Sequence, residues 1–377
     1  MTRDLILLAI ALFTWGFGDS MFFLFQPLYL QDLGANPQMI GNILGMVGVA
    51  MTVAHLPAGY LADRIGRRPL LYAAWTLGCV ATWVMALSPA LPWFVFGTVL
   101  YGLTSFVMVP MYSYITAARG KLSVGRAITL TTAAFSLGSV IGPLVGGWIG
   151  DTIGLHRTFL VAAVIFVFST LIVLAIRAQP VENDSEEGAA GALRSLLNPR
   201  YLQYLSIVFV VMLATYLPQP LSQNYLQDVH HLSRTQIGSV ISMRNLGVAV
   251  FNLALGQLNA RVGFLLAQGA MALFSLALWR GTGLPWYMLG YFLMGSYQTA
   301  RSLASAQARA LVSKINMGLA YGLVETTASL AIIIAPPLAG FVYNRGPALI
   351  YPLSLAAIGL AFLLTLFFSP IHSKDVL

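Results

Sequence analysis

Charge is scarce in this sequence. Lysine, arginine, aspartate and glutamate together make up 8% of the 377 residues, whereas about 25% is usual in soluble globular proteins. So few charges cannot cover the surface of a water-soluble protein of this length. A disordered chain is excluded too, because disorder requires low hydrophobicity and abundant charge. Since 58% of the residues are hydrophobic, the composition indicates an integral membrane protein.

Several signatures of soluble catalytic and binding proteins are missing. Cys79 is the single cysteine, which excludes a disulfide framework and a cysteine-based zinc site. No glycine-rich, lysine-terminated phosphate loop is present, and no Ser-His-Asp or paired-carboxylate arrangement stands on a loop. We therefore expect no enzyme activity, no metal, no cofactor and no direct use of ATP. The formal net charge of +8 does not predict nucleic-acid binding, because the basic residues lie in short gaps between apolar runs.

Long apolar runs are what the sequence has in abundance. A membrane-spanning helix needs about 20 mostly apolar residues. Twelve segments fit: 5–30, 40–60, 69–88, 92–118, 125–149, 157–177, 202–226, 235–258, 263–281, 285–311, 317–343 and 347–369. Because the runs are continuous rather than alternating, they predict an all-α integral membrane protein, whose helices we number 1 to 12 in chain order.

Lysine and arginine are distributed unevenly among the gaps. Fourteen lie in gaps on the side of the N-terminus and four on the other side, while Arg244 and Arg301 fall inside helices. Cytoplasmic loops carry the excess of positive charge in membrane proteins. The sequence therefore predicts a multi-pass protein of the cell membrane with both termini in the cytoplasm.

One gap differs from the others and divides the chain. Residues 178–200 combine Pro180, an acidic cluster and a Gly/Ala stretch, a composition typical of a mobile linker. It separates an N-terminal six-helix bundle, 1–177, from a C-terminal six-helix bundle, 201–377. The two halves repeat each other, as Tyr29-Leu30-Gln31-Asp32 recurs at Tyr225-Leu226-Gln227-Asp228, and Ile40-Gly41 at Ile237-Gly238. Such pseudo-symmetric duplication is the architecture of secondary transporters.

A charged motif follows helix 2. Its key positions are Gly59, Leu61, Asp63, Arg64, Gly66, Arg67 and Arg68. This pattern resembles the cytoplasmic signature of the major facilitator superfamily, Gly-x-Leu-x-Asp-Arg-x-Gly-Arg-Arg. The resemblance implies a charged latch that closes the two halves in one conformation. The alternative is a basic loop that only anchors the chain at the inner leaflet.

Helix 5 carries a second motif, formed by Gly138, Gly142, Pro143, Gly146 and Gly147. It resembles the signature Gly-x-x-x-Gly-Pro-x-x-Gly-Gly, which in the family is associated with antiporters. Small residues four apart permit close helix contact, and proline interrupts the hydrogen-bond ladder. Simple helix packing without a coupling role remains the alternative. In one respect the chain departs from the family, because Thr98 stands where many proton-coupled members have an arginine on helix 4.

Four charges lie inside predicted helices. They are Asp19, Arg244, Arg301 and Glu325, and each costs about 2.5–3.5 kcal/mol at the bilayer centre on insertion scales. Helices 3, 6, 9 and 12, which the resemblance places on the outside, have no ionisable residue in their apolar spans. We expect Arg301 and Glu325 to pair in one state, and Asp19 and Glu325 to be proton-coupling residues. A static set of structural ion pairs is the alternative.

The remaining polar and aromatic residues of the inner helices suggest a solute site. We expect the substrate-binding residues to include Arg244, Arg301, Gln298, Tyr112, Gln219 and Asn252. The sequence thus predicts a monomeric secondary transporter that moves a small organic solute by alternating access, with proton-coupled efflux of the multidrug kind. Proton-coupled uptake or uniport of an organic anion bound by Arg244 and Arg301 is one alternative. A non-transporting membrane sensor or a channel is another.

Overall fold

A computed structural model describes residues 1–179, 199–308, 311–312 and 317–369. For residues 56–65, 109 and 317–319 it describes the backbone but not the side chains. Of the predicted linker, 178–200, only the ends fall within this part of the chain. The motif residues Gly59, Asp63 and Arg64 lie on a described backbone, and their side chains lie outside the described residues.

The described chain folds into twelve helices, α1 to α12, which correspond one to one to the twelve predicted segments. Four of them contain a break. The helices are α1 (Arg3–Phe22, Phe23–Phe25 and Gln26–Asp32), α2 (Pro37–Ile65), α3 (Arg67–Ala86), α4 (Leu91–Leu103, Thr104–Val107 and Met108–Ala118), α5 (Val124–Thr152), α6 (Leu155–Leu174), α7 (Pro199–Tyr216 and Ser222–Asp228), α8 (Arg234–Leu255), α9 (Ala260–Arg280), α10 (Leu284–Met294 and Ser296–Ala308), α11 (Met317–Tyr343) and α12 (Ile350–Phe368).

Nine of the described helices are long and apolar enough by themselves to cross a membrane, and ten are if the two parts of α4, bent by 42°, form one span. The other two are α7 and α10. In α7 the break contains Pro218 and Pro220, which cannot donate backbone hydrogen bonds. The second part of α10 carries Ser296, Thr299 and Arg301, so its composition is too polar for a lipid-facing helix.

Large apolar side chains are exposed on the helices predicted to face lipid. Phe168 on α6 is 59% exposed and Phe367 on α12 is 70% exposed. The interior of the first half is a cluster of buried apolar residues from α1, α3, α4, the beginning of α5 and the end of α6, including Trp75 and Tyr114. An apolar outside around a packed inside is the arrangement a bilayer requires.

The chain forms two compact units. Unit 1 comprises Met1–Asn36, Met46–Asp184 and Leu226–Ser242, and unit 2 comprises Pro37–Gly45, Ser185–Tyr225 and Met243–Leu377. Each unit thus contains most of one sequence half together with a short piece of the other half. The piece in unit 1 is the end of α7 with the beginning of α8, and the piece in unit 2 is the beginning of α2.

In unit 1, the glycines of α5 bring this helix against α1. A Cβ added at Gly138 would lie 2.2 Å from the carbonyl oxygen of Phe13, and one at Gly146 would lie 2.3 Å from that of Met21. Gly142 lies between them and is equally crowded by α1. The four-residue spacing of the motif therefore forms one continuous backbone-to-backbone seam, as expected for small residues in membrane helices.

Pro143 and Gly147 of the same motif pack against the beginning of α8. A Cβ at Gly238 would lie 2.2 Å from the carbonyl oxygen of Pro143, and one at Gly147 would lie 2.4 Å from that of Arg234. The Asp151 carboxylate at the end of α5 accepts hydrogen bonds from the backbone N–H groups of Arg234 (2.8 Å) and Thr235 (2.7 Å). These groups start α8, so Asp151 caps this helix from a neighbouring one.

Unit 2 repeats the arrangement with α2 and α11. A Cβ at Gly41 would lie 2.3 Å from the carbonyl oxygen of Pro336, and one at Gly340 would lie 2.5 Å from that of Pro37. Gly41 and Gly238 are the repeated glycines of the two halves, and each meets the carbonyl of a proline inside its partner helix. The internal repeat seen in the sequence is therefore also a repeat of helix contacts.

Candidate functional site

Asp19 lies in unit 1 within a group of aromatic rings. The Tyr101 hydroxyl on α4 donates a hydrogen bond of 2.5 Å to Asp19 Oδ1 on α1. The Tyr101 ring is stacked on Trp15, with centroids 6.2 Å apart, and lies 5.3 Å from Phe22 and 5.9 Å from Phe166. The carboxylate is only partly buried. A carboxyl group that meets both apolar rings and solvent is suited to gaining and losing a proton.

Thr98 stands at the position where related transporters have an arginine, and its hydroxyl is engaged by its own helix and by α3. It is fully buried, donates to the carbonyl oxygen of Phe94 (2.9 Å) and lies 3.4 Å from the sulfur of Met85 on α3. The position is thus filled by packing between α3 and α4. Tyr112, further along α4, is 39% exposed and so is accessible to a solute.

Unit 2 contains an ion pair. Arg301 Nε on α10 lies 2.6 Å from Glu325 Oε2 on α11, as the sequence predicts for these two residues. Ser305 donates to the other carboxylate oxygen (3.3 Å), and Arg301 Nη2 donates to Ser329 (3.3 Å). The arginine and glutamate side chains are 25% and 45% exposed. Because neither charge is fully buried, the pair can open without stranding a desolvated charge.

The other predicted solute residues of unit 2 fall into two groups. Arg244, Asn252 and Gln298 are half-buried or exposed; Arg244 donates to Asn245 (3.1 Å), and Asn252 accepts from Thr299 of α10 (2.8 Å). Gln219, by contrast, is buried in the break of α7 and donates to the carbonyl oxygen of Thr215 (2.9 Å). In this structure Gln219 closes a helix end, which is a structural contact.

Close packing brings α8 and α10 together beside Arg244. A Cβ at Gly247 would lie 2.0 Å from the carbonyl oxygen of Phe292, and one at Gly295 would lie 2.4 Å from the backbone nitrogen of Val248. The buried Tyr297 ring lies 5.3 Å from that of Tyr216. Among the described residues the Tyr297 hydroxyl has no hydrogen-bond partner, so it remains available to a ligand.

The described part of the charged motif after α2 is engaged within unit 1. Gly66 has a φ of +84°, which favours glycine at the sharp turn into α3. Arg67 donates to the carbonyl oxygen of Ser113 on α4 (3.3 Å), and Arg68 donates to the Tyr72 hydroxyl (2.6 Å). Arg67 therefore holds the α2–α3 turn against α4. Arg68 binds Tyr72 of its own helix, and the Tyr72 hydroxyl in turn donates to the carbonyl oxygens of Leu174 and Ile176 at the end of α6.

The structure contains one charged cluster that sequence reasoning missed. Arg234 Nη2 lies 2.6 Å from Asp32 Oδ2, Arg234 Nη1 donates to the carbonyl oxygen of Gly150 (3.0 Å), and Gln31 donates to Asp228 (2.9 Å). The internal repeat could have pointed to this cluster, because Gln31-Asp32 and Gln227-Asp228 occupy equivalent positions in the two halves. The sequence also did not predict that Trp15 and Tyr101 would lie beside Asp19, although the residue type and helix of Tyr101 suggested a place in the cavity.

The described chain has twelve helices, nine or ten of them apolar enough to cross a membrane, and its two halves repeat each other. The charges that lie within the spans, Asp19, Arg244, Arg301 and Glu325, are on inner helices. These features define a multi-pass membrane transporter built from two six-helix bundles. The profile of the Major Facilitator Superfamily matches residues 8–219 and 204–376. The chain belongs to this superfamily, whose members are transporters and not enzymes.

Several relatives are about a quarter identical to this chain over the residues that align. A multidrug resistance protein, MdtG, of Yersinia enterocolitica is 27% identical over 278 residues, which is 69% of this chain and 66% of the relative. A multi-drug resistance efflux pump, PmrA, of Streptococcus pneumoniae is 24% identical over 264 residues, 67% of this chain and 65% of the relative. An MFS-type transporter of Methanocaldococcus jannaschii is 23% identical, with 70% of each chain covered.

Solved structures share the fold at lower identity. The nucleoside transporter NupG superposes with a TM-score of 0.82 at 13% identity, covering 97% of this chain and 98% of that chain. A D-xylose-proton symporter superposes with a TM-score of 0.75 at 12% identity, covering 99% of both. These likenesses concern the fold alone.

Proposed function

We propose that this protein exports a small organic solute in exchange for protons. It works as a monomer by alternating access, with the bundles 1–177 and 201–377 as the moving bodies and both termini in the cytoplasm. The observation that carries the proposal is the Asp19 carboxylate, held by Tyr101 at 2.5 Å within a ring cluster. The other predicted coupling carboxylate, Glu325, is engaged by Arg301 at 2.6 Å.

The chemistry of the Asp19 site supports a proton as the coupling ion. Its Tyr101 partner lies among aromatic rings, and the partial exposure of Asp19 gives protons a way in. Tyr101 can donate to the carboxylate and can accept from the protonated acid, so one geometry serves both protonation states. A change of charge at this point alters the cost of exposing α1 to the bilayer interior, which is how protonation can bias two conformations.

The direction of transport is supported by two features. Two named relatives are multidrug resistance proteins or efflux pumps, and the seam on α5 has the antiporter-like glycine spacing. Tyr112 and Met108 offer aromatic and thioether surface at 39% and 42% exposure. Such surfaces adapt to solutes of varied shape.

A second candidate function is proton-coupled uptake or uniport of an organic anion. It is favoured by the composition of unit 2, where Arg244 and Arg301 lie on inner helices with Glu325 as the acidic partner. Tyr297 adds a buried hydroxyl donor. If this alternative holds, Arg301→Ala weakens solute affinity, whereas unchanged affinity in that variant removes its main support.

The deciding experiment measures pH inside proteoliposomes that contain the purified protein while cationic, neutral and anionic organic solutes are added in turn. We expect one solute class to trigger a saturable proton flux that is lost in Asp19→Asn. Asp4→Asn is the matched control, because Asp4 lies on the same helix but accepts hydrogen bonds from the backbone of Arg177 and from Gln179. Full proton flux in Asp19→Asn refutes the assignment, and a flux that does not saturate indicates a channel.

A further inference from the structure

A cavity inside unit 1 is explained neither by the proton site nor by helix packing. Its volume is about 110 Å³, and it lies among α1, α3, α4 and α5. The lining is almost entirely apolar, with Trp15, Trp75, Met111 and Phe135 among its largest members. The one buried hydroxyl in it, that of Thr131, donates to the backbone of its own helix. A water molecule would therefore find few partners there, so the cavity is suited to an apolar occupant.

The cavity is closed at one end and open at the other. Trp75 and Met111 are 2% and 7% exposed, whereas Met108 and Tyr112, which also line it, are 42% and 39% exposed. A group attached to a larger molecule can thus enter past Met108 and Tyr112 while the rest of that molecule stays outside.

The walls are fixed, which keeps the space from collapsing. A Cβ at Gly78 would lie 2.3 Å from the Trp15 ring, so glycine is what allows this ring to sit so close to α3. Trp15 also packs on Phe166 (4.3 Å between centroids) and Trp75 (5.0 Å), and Trp75 Nε1 donates to Ser169 (3.0 Å). An unfilled space between well-packed walls is costly in a protein interior, because its lining lacks contacts.

We propose that this cavity is a binding subsite for one ring-sized apolar group, such as a phenyl ring, of the transported solute. Apolar cavities of about 150 Å³ stay dry and bind benzene, so this one takes a single ring or a short branched alkyl group. The proposal rests on the function proposed above, that the chain moves an organic solute. It adds that the solute carries an apolar end of about the size of one ring.

Trp15 connects this subsite to the proton site. Trp15 lines the cavity, and its ring is stacked on Tyr101, which donates to Asp19. A ring bound in the cavity therefore touches the residue that supports the Asp19–Tyr101 hydrogen bond. This contact makes the subsite part of the transport machinery rather than an idle space.

The test is binding of 4-bromobenzyl alcohol, a neutral ring that quenches tryptophan fluorescence, to the full protein in detergent without a pH gradient. We expect saturable quenching that is reduced in Trp15→Phe and lost in the double variant Trp15→Phe with Trp75→Phe, because these two tryptophans line the cavity. Thr132→Phe and Val107→Phe add a ring to the lining and should each weaken binding at least about tenfold, since the filled space cannot hold a second ring. Val164→Phe, at a 45% exposed position on α6, is the matched control and should bind as the unaltered protein does.

Two results overturn the proposal. One is quenching that rises without saturation in the unaltered protein, which means partition into detergent only. The other is unchanged affinity in both ring-adding variants while their thermal unfolding midpoints stay near that of the unaltered protein. Because no proton gradient is used, failure of proton coupling leaves this binding intact. Probe binding that persists in Asp19→Asn, with coupled transport lost, separates the two functions.

Discussion

The seam between α1 and α5 predicts a sharp effect of a single methyl group. In Gly142→Ala, the added Cβ would lie 2.1 Å from Ser20 Oγ and 2.4 Å from the carbonyl oxygen of Phe17, whereas ordinary contacts begin at 3.4 Å. Ser20 can rotate, but the carbonyl belongs to the backbone of α1. The two helices must therefore separate locally by about 1 Å, and such overpacking costs about 1–3 kcal/mol.

Gly359→Ala is the matched control. Gly359 lies inside α12, and a Cβ there would meet nothing within 4 Å. The same substitution should stabilise this helix by about 0.4–1 kcal/mol, because alanine loses less backbone entropy on folding. The two variants thus have effects of opposite sign from one chemical change.

The assay is thermal unfolding of the purified protein in detergent. In chains of 150–250 residues, 1 kcal/mol corresponds to about 2–4 °C, and in a longer chain to less. Gly142→Ala should therefore lower the midpoint by a few degrees, while Gly359→Ala holds or raises it. Proteoliposome transport should fall with Gly142→Ala. A midpoint for Gly142→Ala equal to or above that of the unaltered protein would refute the seam and the backbone contact on which it rests.

Three further predictions concern charge and orientation. Arg301→Ala and Glu325→Gln should each impair transport. The exchanged pair, Arg301→Glu with Glu325→Arg, should restore part of the transport if the attraction between the two charges is what matters. No recovery means that each position requires its own sign of charge. Arg234→Gln should lower the free energy of unfolding by about 1 kcal/mol at low salt, seen as a lower unfolding midpoint. The difference should shrink as salt screens the partly exposed pair. A cysteine placed at Lys374, with Cys79→Ser, should react in whole cells with a permeant maleimide and not with an impermeant one.

Much of the fold could be predicted because the bilayer restricts the choices. Apolar length determined the twelve helices, and the repeated Gly41 and Gly238 marked equivalent contacts before any coordinates were considered. The sequence did not reveal that the beginnings of α2 and α8 would join the opposite units. Close approach of Gly238 to Pro143 depends on which helices meet, and helical periodicity does not encode that choice.

The candidate site was only partly predictable for a related reason. The pairing of Arg301 with Glu325 could be inferred from their cost in a membrane and their places on consecutive helices. The partner of Asp19 could not, because Tyr101 is 82 residues away and is one of many aromatic residues on inner helices. Gln219 looked like a cavity residue from its type, yet the α7 break turns its amide back onto Thr215.

The most direct test of the central claim measures the accumulation of a permanently charged or non-ionisable solute in proteoliposomes with an acidic or an alkaline interior. Exchange of solute for protons predicts accumulation only when the interior is acidic, and Asp19→Asn should abolish it while leaving solute equilibration without a gradient. Protein-free liposomes control for passive entry. Accumulation with an alkaline interior, or accumulation indifferent to the gradient, would contradict proton-coupled export and favour uptake or uniport.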